Sequence, residues 1–174
     1  MIRVSLSALL ILCISLTCAA ASLPGQVASD FPNLRLAGEG RLRWLGLHIY
    51  DAALWVNGGR WNVEGEFALD LRYARNISSQ RLVETSLDEM RRLGYRDEAR
   101  LARWGEQMSR VLPDVRKGER ITGVNRPGVG AGFYHQGRPG GWIRDPEFAR
   151  AFFAIWLDAR TREPGLRKSL FGEN

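Results

Sequence analysis

Residues 38–56 read GEGRLRWLGLHIYDAALWV, a corner of glycine and arginine that opens into the longest strand-like run beyond the N-terminal segment. Side chains of a strand alternate between its two faces. From Leu47 onward this puts Leu47, Ile49, Asp51, Ala53 and Trp55 on one side and His48, Tyr50, Ala52, Leu54 and Val56 on the other. Both sets are mainly apolar, whereas a strand wet on one face carries a polar residue at every second position. The run is therefore expected to be central and covered on both faces, by helices or by a second sheet. His48, Tyr50 and Asp51 are the polar residues inside that burial, and Arg41 and Arg43 stand at its entrance.

Moving outward toward the C-terminus, Asn57-Gly58-Gly59 is a hairpin-type turn, since glycine accepts positive φ. Phe67 to Arg75 then alternates as a half-buried strand, with Phe67, Leu69, Leu71 and Tyr73 on its apolar face. Antiparallel pairing with the central strand is the economical arrangement for two strands joined by a short connection. A helix capped by Ser78 or Ser79 carries Val83, Leu87, Met90 and Leu93 at helical spacing and stops at Gly94. A second helix, capped by Asp97, carries Leu101, Trp104, Met108, Val111 and Leu112 and ends before Pro113.

Short strands follow over about residues 119–125, 132–135 and 141–143, separated by turns rich in glycine and proline. Asp145-Pro146-Glu147 opens a third helix, with a cap, a proline at the first helical position and an acid in the first turn. Phe148, Phe152, Ile155 and Trp156 make it the most apolar helix of the chain, and a short amphipathic segment over residues 166–172 closes the sequence. Strands, two helices, strands and final helices do not form a βαβ alternation, so the expected class is α+β with a mainly antiparallel sheet.

Moving outward toward the N-terminus, Leu34 to Ala37 begins a first strand, and Ser22 to Asn33, broken by Pro24, Gly25 and Pro32, reads as an irregular arm. Before it lie Arg3, an apolar run over residues 4–18 and Ala19-Ala20-Ala21, the pattern of a secretory signal peptide. Residues 1–21 are expected to be removed, leaving 22–174 as a single domain in the periplasm or outside the cell. Both cysteines, Cys13 and Cys18, belong to the leader. The exported domain thus has no disulfide, thiol nucleophile or cysteine metal ligand.

Lys and Arg number 25 against 19 Asp and Glu, a formal net charge of +6. The arginines are interleaved with acids, as in Arg96-Asp97-Glu98, and the expected compartment holds no nucleic acid, so nucleic acid is not an expected partner. Loose contact with an anionic membrane surface suits the charge better. His48 and His135 show no metal-ligand spacing, and no metal or cofactor is expected. Gly128-Val129-Gly130-Ala131-Gly132 lacks the lysine and following helix of a phosphate loop, and no Gly-x-Ser-x-Gly elbow occurs.

The remaining constellation is Arg41, Arg43, Tyr50 and Tyr73 around the central strand. Guanidinium forks and phenols suit a carboxylate, enolate or phenolate at one end of an apolar pocket. The alternative from the same residues is scaffolding, with the arginines paired to surface acids such as Glu39 and Tyr50 in the core.

Several features in order resemble the chalcone isomerase-like family, in its bacterial exported branch. They are Gly38-Glu39-Gly40 followed by arginine, Ile49 to Val56, the strand ending in Tyr73, Pro113-Asp114-Val115 with Lys117-Gly118, Asp145 to Ala149 with Ile155-Trp156-Leu157, and Leu170-Phe171-Gly172. The resemblance implies an open-faced β-sandwich, a large antiparallel sheet under a layer of helices, with a ligand cleft between them. Plant members cyclise chalcones using an arginine with threonine, tyrosine and asparagine side chains, and related plastid proteins bind fatty acids through an arginine and a tyrosine. Here the position of the catalytic threonine falls on Tyr50, the arginine position on or beside Leu42, and an Asn-Gly turn is replaced by Gln136-Gly137. No catalytic residue is assigned. The leading expectation is a monomer that holds a small amphiphilic ligand resembling a fatty acid. An isomerase acting through an enolate-like intermediate and a non-catalytic envelope interaction module are the alternatives.

Overall fold

The computed structural model describes residues 22–173, and the expected leader, residues 1–21, lies outside the described residues. The deciding stretch is a β-hairpin, not a corner followed by a strand. Strand β1 (Leu34–Trp44) and strand β2 (Leu47–Asn57) pair antiparallel. They are joined at Leu45 and Gly46, whose φ angles of 49° and 77° are both left-handed, as a two-residue primed turn requires. Leucine is a poor residue there, because its Cβ crowds the backbone at a cost of about 1–2 kcal/mol. For that reason only Gly46 in residues 44–47 carries a turn signal, and the first turn position carries none.

The hairpin begins a six-stranded antiparallel sheet in which every strand lies beside its predecessor, in the order β1 to β6. The other strands are β3 (Phe67–Tyr73), β4 (Arg120–Arg126), β5 (Gly130–His135) and β6 (Arg138–Ile143). Gln136 and Gly137 alone form the β5–β6 turn, so Arg138 and Pro139 belong to the edge strand and not to a longer loop. An edge position tolerates proline, which has no N–H to donate. Strand β3 is buried on both faces and not half buried as expected, since Ala68 and Asp70 are covered as fully as Leu69 and Leu71.

Two bulges set which way the side chains of the hairpin point. Ala37 is an extra residue between the pairs Leu36 with Trp55 and Gly38 with Leu54, and Ile49 is extra between Leu42 with Tyr50 and Arg43 with His48. An added residue shifts the alternation by one. Hence Leu47 and Ile49 share a face with Tyr50, Ala52, Leu54 and Val56, while His48 turns to the other face with Asp51, Ala53 and Trp55.

Helices cover the first of these faces. They are α2 (Ser79–Leu93), α3 (Glu98–Val111), α4 (Pro146–Leu157) and α5 (Pro164–Leu170), after a short N-terminal α1 (Gly25–Asp30). The first three begin on local side-chain caps: Ser78, Asp97 and Asp145 each accept from backbone N–H groups in the first turn. Asp145 also accepts from the Trp104 indole at 2.8 Å, which ties α4 to α3. Phe148 and Phe152 of α4 are buried as the apolar pattern predicts, but Ile155 and Trp156 are only half-buried. Helix α5 lies on β1 so closely that a Cβ on Gly38 would come within 2.8 Å of the Leu170 carbonyl and the Gly172 N–H, and one on Gly40 within 2.8 Å of Leu166. Close approach of a helix is the reason for the Gly-x-Gly.

The opposite face is covered in one part only. Val27 of α1 and Phe31 just beyond it are buried against Leu34, Ala68, Val124 and Tyr134, and the Tyr134 hydroxyl donates to Asp30 at 2.7 Å. The stretch expected to be an irregular arm is thus a helix docked on the sheet. Beside it, buried Asp70 accepts from Thr122 at 2.7 Å and from Arg120. Toward the β1–β2 turn this face is polar, with Arg41, Arg43, His48 and Asp51 on it. Coverage of both faces therefore holds for the Ala53–Val56 end of β2 and not for its beginning.

Candidate functional site

Helix α2 packs on α3 and α4, with Val83 and Leu87 against Gly105, and leaves an opening between itself and the sheet. The result is a cavity of about 870 Å³, within the range of about 300–1,000 Å³ usual for small-molecule sites. Its floor is Ile49 and Tyr50 of β2, Leu69, Leu71 and Tyr73 of β3, and Ile121 of β4. Leu82, Ser86 and Glu89 of α2 face them, and Phe152, Ile155 and Trp156 of α4 close the side.

Two phenols lie inside this apolar lining. The rings of Tyr50 and Tyr73 meet edge to face at 5.9 Å, as neighbours across β2 and β3 in register. Tyr50 Oη accepts from the Trp156 indole N–H at 2.8 Å. The Tyr73 hydroxyl has no hydrogen-bond partner among the described residues. Burial pushes both phenols well above the ordinary tyrosine range; for Tyr50 the Trp156 bond opposes the rise, and for Tyr73 the neighbouring Tyr50 adds to it. Both therefore stay protonated at neutral pH and can donate to an oxygen in the cavity. They are poorly suited to act as bases.

The mouth is charged. Glu89, whose side chain is 14% exposed, holds Arg92 at 2.7 Å and Arg162 at 2.9 Å. Arg75 and Arg81 also line the opening and are exposed. Arg75 makes no ion pair among the described residues, and it stands in the bend just beyond the end of β3. Trp44 and Leu47 form the lip on the hairpin side.

Of the four residues expected to form a site, the structure brings Tyr50 and Tyr73 to the cavity and leaves Arg41 and Arg43 outside it. Cross-strand partners share a face, and Arg41 pairs with Asp51 and Arg43 with His48, while Leu42 pairs with Tyr50. Arg41 Nε lies 2.7 Å from Asp51 Oδ1. His48 Nε2 is 3.2 Å from the same oxygen, yet it is not aligned to hydrogen-bond there. The two arginines belong to a polar cluster on the far side of the sheet. The physical reason is the parity of β1: Leu42 pairs with Tyr50 and faces the cavity, so Arg41 and Arg43 on either side of it point away.

A family model described as chalcone isomerase-like matches residues 15–172. The chain belongs to the chalcone isomerase-like family. The solved structure of a fatty-acid binding protein from Arabidopsis thaliana is similar to it, with a TM-score of 0.61 and 13% identity, covering 80% of this chain and 87% of that one. At that identity the likeness establishes the shared fold. No curated protein sequence matches the chain.

Reading the sequence missed the α2 side of the cavity and the arginines of its mouth. Leu82, Ser86 and Glu89 recur at helical spacing, one step around α2 from the stripe that packs on α3. A second, mixed stripe beside an apolar one was the available signal. Arg75 lies just beyond the end of β3, where the chain bends, so strand alternation did not announce its place at the mouth.

Proposed function

We propose that this protein binds a small amphiphilic acid, a fatty acid or a molecule of that shape, in the cavity between the sheet and helices α2 and α4. The observation that carries the reading is the combination in one space of an apolar lining, two protonated phenols and an unpaired arginine. The tail lies along Ile49, Leu69, Leu71 and Ile121, and the carboxylate meets Arg75 at the mouth with the Tyr73 hydroxyl behind it. The fold shared with a fatty-acid binding protein supports this choice of ligand. The leader pattern of residues 1–21 supports export, so the ligand is met in the periplasm or outside the cell, and the protein acts there as a monomer.

The test is native mass spectrometry of protein purified without detergent, followed by titration with a fluorescent fatty acid. A lipid-sized adduct, or saturable binding that Leu82→Trp blocks by filling the cavity, is expected. Arg75→Ala should weaken a fatty acid more than the matching fatty alcohol, because only the acid offers a carboxylate to the guanidinium. A protein that carries no adduct and ignores added fatty acids would overturn the proposal.

A further inference from the structure

The β1–β2 turn is the most exposed apolar feature among the described residues. Leu45 is 81% exposed, Trp44 61% and Leu47 47%. Leu45 also holds a left-handed φ of 49°, where asparagine or aspartate would sit without strain. Strain of this kind points to a role at the position where it is kept. Here the chain maintains an unfavourable backbone state in order to present a leucine to solvent.

The surroundings decide what that leucine meets. Beyond the Arg41–Asp51 ion pair, the end of the hairpin carries Arg43 and His48 and no acid. A tryptophan and two leucines with basic residues behind them suit the boundary of a bilayer that bears negative charge, where indole rings settle at headgroup level and arginines meet phosphates. A protein partner fits less well, because a stable protein interface buries roughly 1,000 Å² or more, beyond what three side chains at a turn supply. Trp44 and Leu47 are also the lip of the cavity, so a turn set into lipid brings the cavity mouth to the membrane surface.

We infer that the Trp44-Leu45-Gly46-Leu47 turn inserts into the surface of an anionic membrane and forms the portal through which an amphiphilic ligand passes between the bilayer and the cavity. The inference rests on the ligand-binding reading for what passes through. Insertion itself is independent of it. Leu45 is outside the cavity lining, so a change there tests insertion without altering the cavity.

The experiment is co-sedimentation of the protein with vesicles of one-third phosphatidylglycerol in phosphatidylcholine, comparing wild type, Leu45→Asn and Val63→Ser. Wild type should bind, and less so as salt rises. Leu45→Asn should bind about tenfold more weakly, the partitioning of one leucine side chain, while melting no lower than wild type because asparagine accepts the left-handed backbone. Val63→Ser, at an exposed apolar residue outside the turn (55% exposed), should bind like wild type. Transfer of a fluorescent fatty acid from vesicles should slow in Leu45→Asn, with its equilibrium affinity in vesicle-free solution unchanged. Undiminished vesicle binding by Leu45→Asn, or concentration-dependent self-association through this turn in place of vesicle binding, would overturn the inference. Vesicle binding that depends on Leu45 without any fatty-acid binding in solution would retain the insertion and overturn the ligand.

Discussion

The Trp156 indole N–H donates to Tyr50 Oη at 2.8 Å, joining α4 to β2 across the wall of the cavity. The bond fixes the Tyr50 ring and leaves its hydroxyl hydrogen free to turn toward a ligand. A double-mutant cycle with Tyr50→Phe and Trp156→Phe should give a coupling of about 1 kcal/mol in urea unfolding. Strict additivity would mean that the two groups do not interact in solution.

Alkaline pH should unfold the protein through its buried phenols. Tyr50 and Tyr73 both have pKa values raised in the folded state, by burial first. Above the unfolded value of about 10, the unfolded chain loses these protons while the folded chain keeps them, so stability is lost as pH rises. Each phenol should contribute a slope approaching about 1.4 kcal/mol per pH unit. Tyr73→Phe should flatten the alkaline limb of a stability profile, and an unchanged limb would show that Tyr73 titrates freely in the fold.

Gly38 and Gly165 should respond in opposite ways to alanine. A Cβ on Gly38 runs into the backbone of residues 169–172, whereas nothing lies within 4 Å of one on Gly165 in the first turn of α5. Gly38→Ala should cost about 1–3 kcal/mol by lifting α5 from β1. Gly165→Ala should be neutral or stabilise by up to about 1 kcal/mol. Equal melting temperatures for the two variants would refute the close contact.

Arg120→Ala should be strongly destabilising at neutral pH and less so in acid. Asp70 is buried, with a pKa that burial raises and Arg120 and Thr122 pull back. Without Arg120 its charge is left uncompensated, at a cost of about 3–5 kcal/mol, and its pKa rises further. As pH falls toward that value the folded chain takes up a proton more readily than the unfolded one, so the deficit relative to wild type narrows. A deficit independent of pH would assign the loss to packing.

Asp145→Ala should cost more than a helix cap alone. Loss of the cap accounts for about 1 kcal/mol, and the buried Trp104 indole loses its acceptor as well, adding about 1–3 kcal/mol. Asp145→Ser should recover the cap portion only. Trp156→Ala, at a half-buried residue facing the cavity, should fall short of the loss from Trp104→Ala, which empties the core. Thermal unfolding of the four variants gives the order directly.

Much of this architecture was legible because its signals are local. Ser78, Asp97 and Asp145 announce their helices within a few residues, and Asn57-Gly58-Gly59 announces its turn. Strand β1 was legible only at its start, since its two glycines serve a helix more than a hundred residues away in sequence and the following turn opens on leucine. The cavity side of Tyr50 and Tyr73 could be drawn from apolar alternation. The side taken by Arg41 and Arg43 could not, because it depends on pairing register and on the bulge at Ile49, and both are properties of two strands together. Helix α1 was hidden by Pro24 and Gly25, which are its N-cap and its first residue and do not interrupt it.

The contact of α5 with β1 also bears on the order of assembly. Each strand pairs with its predecessor, directly or, for β3 and β4, across the α2–α3 connection, so the sheet can grow as the chain lengthens. The covering of Gly38 and Gly40 must wait for residues 166–172 and closes by far the longest loop among these contacts, an entropic cost that precedes any gain. Until then β1, which is an edge strand of the sheet, also presents a bare glycine face, and an uncovered edge strand is the form that most readily pairs with another molecule. Variants that weaken α5 should therefore aggregate during refolding before they measurably destabilise the finished protein.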